Sequence, residues 1–334
     1  MLSVNWKAAI ATALCAVTCS LSGLAQVAPP VILRIEYENG VRYVADSVDI
    51  PAFATVPTPV SQAIPTFATY ILLADIVAVN GKPAKGIFLT RQVVVNLTTN
   101  PSAGQSIADV VRTNYLDRTF EILQADGTPI GSIMSSGFDA GPPAPGAPLG
   151  VSGGNFAITG GTGAFLAVRG QGSGGGLIVA NRNASVREDP ARRRVNGGGR
   201  GVAFLHLIPM SRPEVVMNPN GPVVYHADFS AVTAAKPARA GEVLIVEATN
   251  LGPTRPGTDL GTPFPPDRVF EVNSPVEALV NGQAAEVVNK LGWPGLENVY
   301  RVDVRVPEGT AAGMATLQLS AAWILGSPVN IPIQ

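Results

Sequence analysis

The sequence predicts an all-β protein: an antiparallel eight-stranded closed barrel followed by an immunoglobulin-like β-sandwich. Three observations carry that prediction. The 334 residues include 36 Gly and 29 Pro, and only 14% are charged, a mix that suits short strands and many turns. Apolar and polar residues alternate at period two, as in Leu33-Arg34-Ile35-Glu36-Tyr37, the pattern of half-buried strands. Turn dipeptides such as Asn39-Gly40 and Asp126-Gly127 punctuate the alternating runs.

Residues 1–25 read as a secretory signal peptide. Lys7 supplies the positive region, Ala8 to Leu21 is apolar, and Gly23-Leu24-Ala25 places small residues ahead of a cleavage site after Ala25. The apolar core is shorter than the roughly 20 residues a membrane span needs. The expected location is therefore secreted, periplasmic or cell-surface. Both cysteines, Cys15 and Cys19, fall inside this segment. The mature chain is expected to carry no disulfide, thiolate nucleophile or cysteine metal site, and to depend on core area for stability. Removing Lys7 from the 23 basic residues leaves 22 against 24 acidic ones, a net charge of −2, which does not suit nucleic acid.

The first domain is expected over residues 26–210. Leu33, Ile35 and Tyr37 share one face, and Asn39-Gly40 then predicts a tight hairpin with Val41–Val48 as the returning strand. Residues 51–65 hold Pro51, Pro57, Pro59 and Pro65 and read as a loop. Tyr70–Val79 and Gly86–Leu97 flank Asn80-Gly81-Lys82-Pro83 as a second hairpin. Residues 100–114 fit one short helix. Phe120–Gln124 and Ile130–Met134 flank Asp126-Gly127 as a third hairpin, and 141–148 is a proline-rich loop. Asn155–Thr159 and Ala164–Gly170 flank a glycine-rich bend, and Gly201–Ile208 closes the set. About eight hairpin-connected strands can close into an up-and-down barrel, which removes exposed edges.

The bend combines Gly160, Gly161, Thr162 and Gly163. The glycines permit φ values that a Cβ forbids, the Thr162 hydroxyl is expected to cap the reversal, and Phe165 is expected to begin the next strand. Residues 211–222 (SRPEVVMNPNGP) read as a linker. Over 223–334, Glu242–Ala248, Val276–Asn281, Ala285–Val288, Val299–Val306, Met314–Leu319 and Pro328–Ile333 read as short strands at sandwich spacing.

Phe156-Ala-Ile-Thr-Gly-Gly-Thr-Gly-Ala-Phe165 followed by Arg169-Gly170 resembles the GTGAF…RG segment of the dirigent and allene oxide cyclase barrel superfamily, over about residues 30–210. That resemblance implies an eight-stranded antiparallel barrel, often oligomeric, that holds an apolar small molecule and in some members guides a coupling or cyclisation without metal or cofactor. The second half carries Gly241-Glu-Val-Leu-Ile, Asn250-Leu-Gly-Pro253, Val280-Asn-Gly-Gln-Ala284 and Tyr300-Arg-Val-Asp-Val-Arg-Val-Pro307. It resembles the bacterial IPT/TIG-type immunoglobulin-like domain, which implies an interaction module without catalysis.

Some patterns imitate catalytic motifs. Gly150-Val-Ser152-Gly-Gly154 fits a nucleophile elbow, but lacks the strand before and helix after that the elbow needs. Gly170-Gln-Gly-Ser-Gly-Gly175 fits a dinucleotide loop with no helix to open. Two scattered histidines, His206 and His226, make no zinc site, and no metal or cofactor is expected. The arginines between 182 and 200 read as a solvated loop.

Charged residues within apolar faces are the candidate ligand contacts. By strand parity Arg91 groups with Ile87, Leu89 and Val93, and Asp75 with Ile71, Leu73 and Val77. With a five-residue loop at Asn80–Ala84, the two charges become diagonal neighbours on the inner wall, able to pair through their long side chains. Either the pair lines a ligand cavity, or it is a structural ion pair. Glu121 between Phe120 and Ile122, and His206 in parity with Val202, Phe204 and Ile208, are further interior candidates. The leading functional reading is a secreted or cell-surface binding protein. Its barrel holds an apolar or aromatic small molecule, and its sandwich contacts a surface protein or glycan. A homo-oligomer formed through the barrel is part of this reading. The alternatives are a cofactor-free isomerase or cyclase, and a surface-structural or adhesion protein with a filled barrel.

Overall fold

The computed structural model describes residues 30–44, 69–94, 114–139, 155–185, 187–259 and 261–334. The signal segment, the helix expected over 100–114 except for its last residue, and the loops at 51–65 and 141–148 lie outside the described residues. So does the whole elbow-like motif at 150–154. Asn114 begins a strand.

Nine strands form the first sheet: β1 (Val31–Val44), β2 (Thr69–Val79), β3 (Lys82–Val94), β4 (Asn114–Gln124), β5 (Pro129–Phe138), β6 (Asn155–Gly161), β7 (Arg169–Val179), β8 (Arg182–Ser185) and β9 (Gly199–Ile208). Their order is β2-β3-β4-β5-β6-β7-β9-β1, and β1 also pairs with β2, so eight strands close into an antiparallel barrel. Strand β8 lies outside that ring, parallel to the end of β1.

The predicted first hairpin is not formed. Asn39 does take a positive φ of 56°, but the chain runs on in the same direction as one strand. The result is a bulge: β1 slips register against β2 between Glu38 and Val41. Gly40 stays paired to Gly199, and the strand beyond it meets β8. The same local geometry that can turn a hairpin here inserts extra residues and bends the wall.

The Asn80-Gly81 turn is shorter than the predicted loop. Val79 pairs directly with Lys82, with Asn80 and Gly81 both at positive φ, a two-residue hairpin turn. The Asp126-Gly127 hairpin forms as expected. Asp126 accepts hydrogen bonds from Thr128 N at 2.8 Å and Thr128 Oγ1 at 3.0 Å.

The glycine-rich bend joins β6 to β7, which are antiparallel neighbours. Gly163 has φ 61°, and a Cβ there would stand 2.5 Å from the Ile130 carbonyl oxygen. Two details differ from expectation. Phe165 belongs to a 3-10 turn, Gly163–Phe165, so the strand expected over Ala164–Gly170 begins only at Arg169, and the Phe165 ring plugs the barrel base, fully buried. The Thr162 hydroxyl makes no cap. It bonds the Ser132 hydroxyl at 2.7 Å instead, tying the bend to β5.

The second sheet holds eleven strands in two layers, apart from one separate two-stranded ribbon. Strands β10 (Glu214–Val215), β13 (Val224–Tyr225), β14 (Val243–Thr249), β15 (Thr254–Arg255) and β16 (Glu271–Val272) belong with β19 (Val299–Arg305). Strands β17 (Val276–Val280), β20 (Gly313–Ala321), β21 (Ile324–Leu325) and β22 (Val329–Ile333) make the other layer. Strand β18 (Gln283–Gly292) pairs with β17 through its first residues and with β19 through the rest, bulging between Val287 and Asn289. The ribbon is β11 (Met217–Asn218) against β12 (Gly221–Pro222). Leu244, Val246, Val302 and Val304 face Leu317, Leu319 and Ile331 across the core, as alternating inward residues of packed sheets must.

The two sheets share a core. Ala322 and Ile324, with Trp323 against them, pack into the barrel's hydrophobic cluster beside Leu33, Phe165 and Leu207. The β20–β21 hairpin therefore seals the barrel base, the end that also carries the turns at 80–81, 126–127 and 162–165. Polar contacts ring the seal, including Lys82 to Glu277, Gln124 to the Asn273 carbonyl, and Arg255 to Thr128 Oγ1 at 3.2 Å.

Candidate functional site in the barrel interior

Cross-strand partners share a face, so the register shows what the barrel contains. The level on the base side is apolar, with Ala74, Phe88, Phe120 and Ile133 in successive register. The middle level runs Arg42, Leu72, Thr90, Arg118, Ser135 and Ile158. The level toward the open end runs Val44, Tyr70, Gln92, Leu116, Gly137 and Phe156. Polar side chains therefore occupy the inner wall of β3 and β4, while Ile87 and Leu89 face outward at 38% and 37% exposure.

This inverts the parity expected from sequence. All four predicted interior candidates lie on the outer face. Arg91 pairs in register with Ile71 and Asp117, Glu121 with Ile87 and Ser132, and His206 with Ile32 and Gln171. Asp75 pairs with Glu38 and Ile87. The two-residue turn and the bulge between Asp75 and Ala78 shift the register by two, which separates Asp75 from Arg91. Arg91 instead donates to Asp117 at 2.6 Å near the surface.

Asp75 is nonetheless buried, because the arginine-rich segment folds over it. Arg193 pairs with its carboxylate, Arg194 donates to it at 2.8 and 3.0 Å, and Asn39 Nδ2 donates at 3.0 Å. Arg182, 1% exposed, forks onto Glu188 and donates Nε to the Gly197 carbonyl at 3.1 Å. The expected solvated loop is thus partly an internal strut. Charge alternation at Glu188 and Asp189 was its only sequence signal.

The middle level holds the unusual chemistry. Arg118 is 8% exposed, and its guanidinium carbon lies 3.4 Å from the Phe156 ring centroid and 5.8 Å from that of Phe88. Its Nε and Nη1 are buried without an acceptor among the described residues. The Thr90 and Ser135 hydroxyls, its partners on either side in register, are also buried and unbonded, as is Arg42 Nε. Burial pushes the Arg118 pKa down to about 10, against the opposing fields of Asp139 and Tyr37. The guanidinium still carries its charge at neutral pH. Tyr37 and Tyr70 stand nearby. Burial raises both phenols, Tyr70 to about 12, so both are protonated donors. Tyr37 needs Gly201 opposite it, since a Cβ there would lie 2.5 Å from the Tyr37 hydroxyl.

Buried polar groups are almost always hydrogen-bonded. A cluster of buried donors lacking acceptors marks a place where an acceptor belongs. Sequence parity missed it because Arg118 alternates with Asp117 and Thr119 in a polar stretch that carries no apolar signature.

Elsewhere, His226 Nδ1 lies 2.6 Å from Glu242 Oε1 and Nε2 lies 3.2 Å from the Lys236 carbonyl. Both ring nitrogens are engaged in holding that loop. The Gly170–Gly175 motif lies inside β7, and the chain leads from it into more strand. Among the described residues no group of His, Cys, Asp and Glu is arranged to hold a metal, and no helix is long and apolar enough to cross a membrane.

No protein-family profile and no curated protein matches the chain. One solved structure, described as a polysaccharide lyase, aligns at 11% identity with a TM-score of 0.17, covering 91% of this chain and 40% of the lyase. The chain thus spans well under half of that structure's length, and so low a score supports no statement about fold or activity.

Proposed function

We propose that the chain is an exported binding protein whose barrel holds a small molecule in its polar upper half. One observation carries the reading: Arg118, Thr90, Ser135 and Arg42 bring unbonded buried donors to a single level of the interior. A pocket of apolar and aromatic wall with a few convergent polar groups suits a small ligand. Phe88, Phe156, Tyr70, Leu72 and Ile158 supply that wall. The resemblance at Phe156–Gly170 to dirigent and cyclase barrels supports the same reading, as does the signal-like segment for export. In this reading the C-terminal sheet, similar to IPT/TIG domains, closes the barrel base and presents its outer surface to a cell-surface protein or glycan.

The test is native mass spectrometry of the full chain purified from its source. A retained small molecule, released on denaturation, is the expected result; a mass matching the bare polypeptide in every preparation overturns the reading. The filled-barrel alternative draws support from the base, where Phe120, Ile133, Phe165 and Ile324 leave a closed apolar plug. The isomerase or cyclase alternative draws on Tyr37 and Tyr70 as proton donors beside the same level.

A further inference from the structure

We infer that the ligand is a small aromatic or apolar carboxylate, its anionic group seated against Arg118. This rests on the ligand-binding reading above and adds the ligand's charge and class. The reasons lie in what Arg118 has and lacks. It is buried within a closed wall, and a buried charge without a partner costs several kcal/mol. Stacking on Phe156 satisfies one face of the guanidinium but leaves its edge donors Nε and Nη1 without acceptors.

The acid whose field acts on it, Asp139, has a carboxylate that accepts from Asn114 Nδ2 at 3.2 Å. The unbonded groups of the ring strands on this level are two guanidiniums, which only donate, and two hydroxyls, which donate and accept, with Asn183 Oδ1 on β8 an unbonded acceptor beside Arg42 in register. The two guanidiniums call for an acceptor-rich group that the hydroxyls can also serve as donors, and a carboxylate takes several hydrogen bonds while matching guanidinium geometry. Apart from Gln92 on the level above, the neighbouring levels are ring and aliphatic surface, with Phe88 stacked on Phe120 at 4.6 Å and tilted against Tyr37 at 5.0 Å. That surface favours an apolar or aromatic body. A phosphate dianion would lose more hydration in so apolar a wall, so the singly charged carboxylate fits better.

The experiment is isothermal titration of the full chain, freed of ligand, with matched pairs: 2-naphthoate, 4-phenylbutyrate and decanoate, each beside its methyl ester, and 2-naphthyl phosphate beside 2-naphthoate. Binding of at least one acid at least about tenfold tighter than its ester supports the inference. So does loss of that margin in Arg118→Met with its retention in Arg91→Met, a control on the outer wall. Esters binding as tightly as acids, or a margin that survives Arg118→Met, overturns the carboxylate while leaving the binding barrel standing. Naphthyl phosphate binding tighter than naphthoate likewise overturns the carboxylate, in favour of a phosphate. Binding by no member of any pair overturns the inference and counts against the binding barrel itself. Circular dichroism of each variant confirms that a lost margin belongs to a folded protein.

Discussion

Arg118 lies over Phe156, 3.4 Å from guanidinium carbon to ring centroid, in a barrel wall whose described residues offer its Nε and Nη1 no acceptor. The ring recovers part of the lost hydration but supplies no counter-charge. In the ligand-free protein the charge is a liability. Arg118→Met keeps the length of the side chain and removes the charge, and is expected to raise stability by about 1 kcal/mol or more. Thermal denaturation of ligand-free protein checks this; a variant that melts several degrees lower would show that Arg118 is a structural member.

Asp75 behaves in the opposite sense. Burial alone would raise its pKa, but hydrogen bonds from Arg194, Asn39 and Arg193 outweigh burial and hold it below the usual carboxylate value. The ionised form is favoured by folding. Its contribution is complete above the unfolded value near 3.9, and fades as pH falls through the lower folded value. Asp75→Asn leaves Arg193, 5% exposed, without its partner and is expected to cost about 3–5 kcal/mol at neutral pH. Urea denaturation from about pH 2 to 7 should give the variant a shallower acid limb than the parent. Parallel pH profiles would mean that the strut contributes nothing to stability.

The base seal makes a cooperative prediction. Ile324 comes from the second sheet yet packs among barrel residues. Ile324→Ala is expected to cost about 2–5 kcal/mol and to lower the melting of both sheets together. Calorimetry of the parent should give one endotherm, shifted whole in the variant. Two endotherms, only one of them moved, would show that the sheets unfold independently.

Gly163 tests the bend. Its φ of 61° and the 2.5 Å approach to the Ile130 carbonyl leave no room for a methyl group. Gly163→Ala should destabilise by about 1–3 kcal/mol. The neighbouring Gly160→Ala, whose added Cβ would meet only the Arg169 guanidinium at 3.6 Å, should cost much less. Equal midpoints for the two variants in urea would remove the special role given to position 163.

Much of the architecture is legible in the chain. The six strands read between Glu242 and Ile333 all form, within a few residues of their expected ends, because period-two alternation and Asn, Gly or Pro punctuation are local signals. The bend at 160–163 is equally local. Asn39-Gly40 shows the limit. Positive φ is a property of the residue, but whether it turns a hairpin or bulges a continuing strand depends on what β8 and β9 place beside it.

The sequence by itself determined the fold class, most strands and most turns, since each rests on a residue and its near neighbours. Only the tertiary structure decided which face of β2, β3 and β9 is the inside. A strand has two faces, and the apolar one was read as inner. Closure of the ring put Thr90, Gln92 and Arg118 inside instead and set Asp75, Arg91, Glu121 and His206 on the outer wall, while the two-residue register shift between β2 and β3 kept the faces and only separated Asp75 from Arg91. Arg118 gains its meaning the same way. Its burial, its ring and its missing acceptors come from strands far apart in the chain, brought to one level by register.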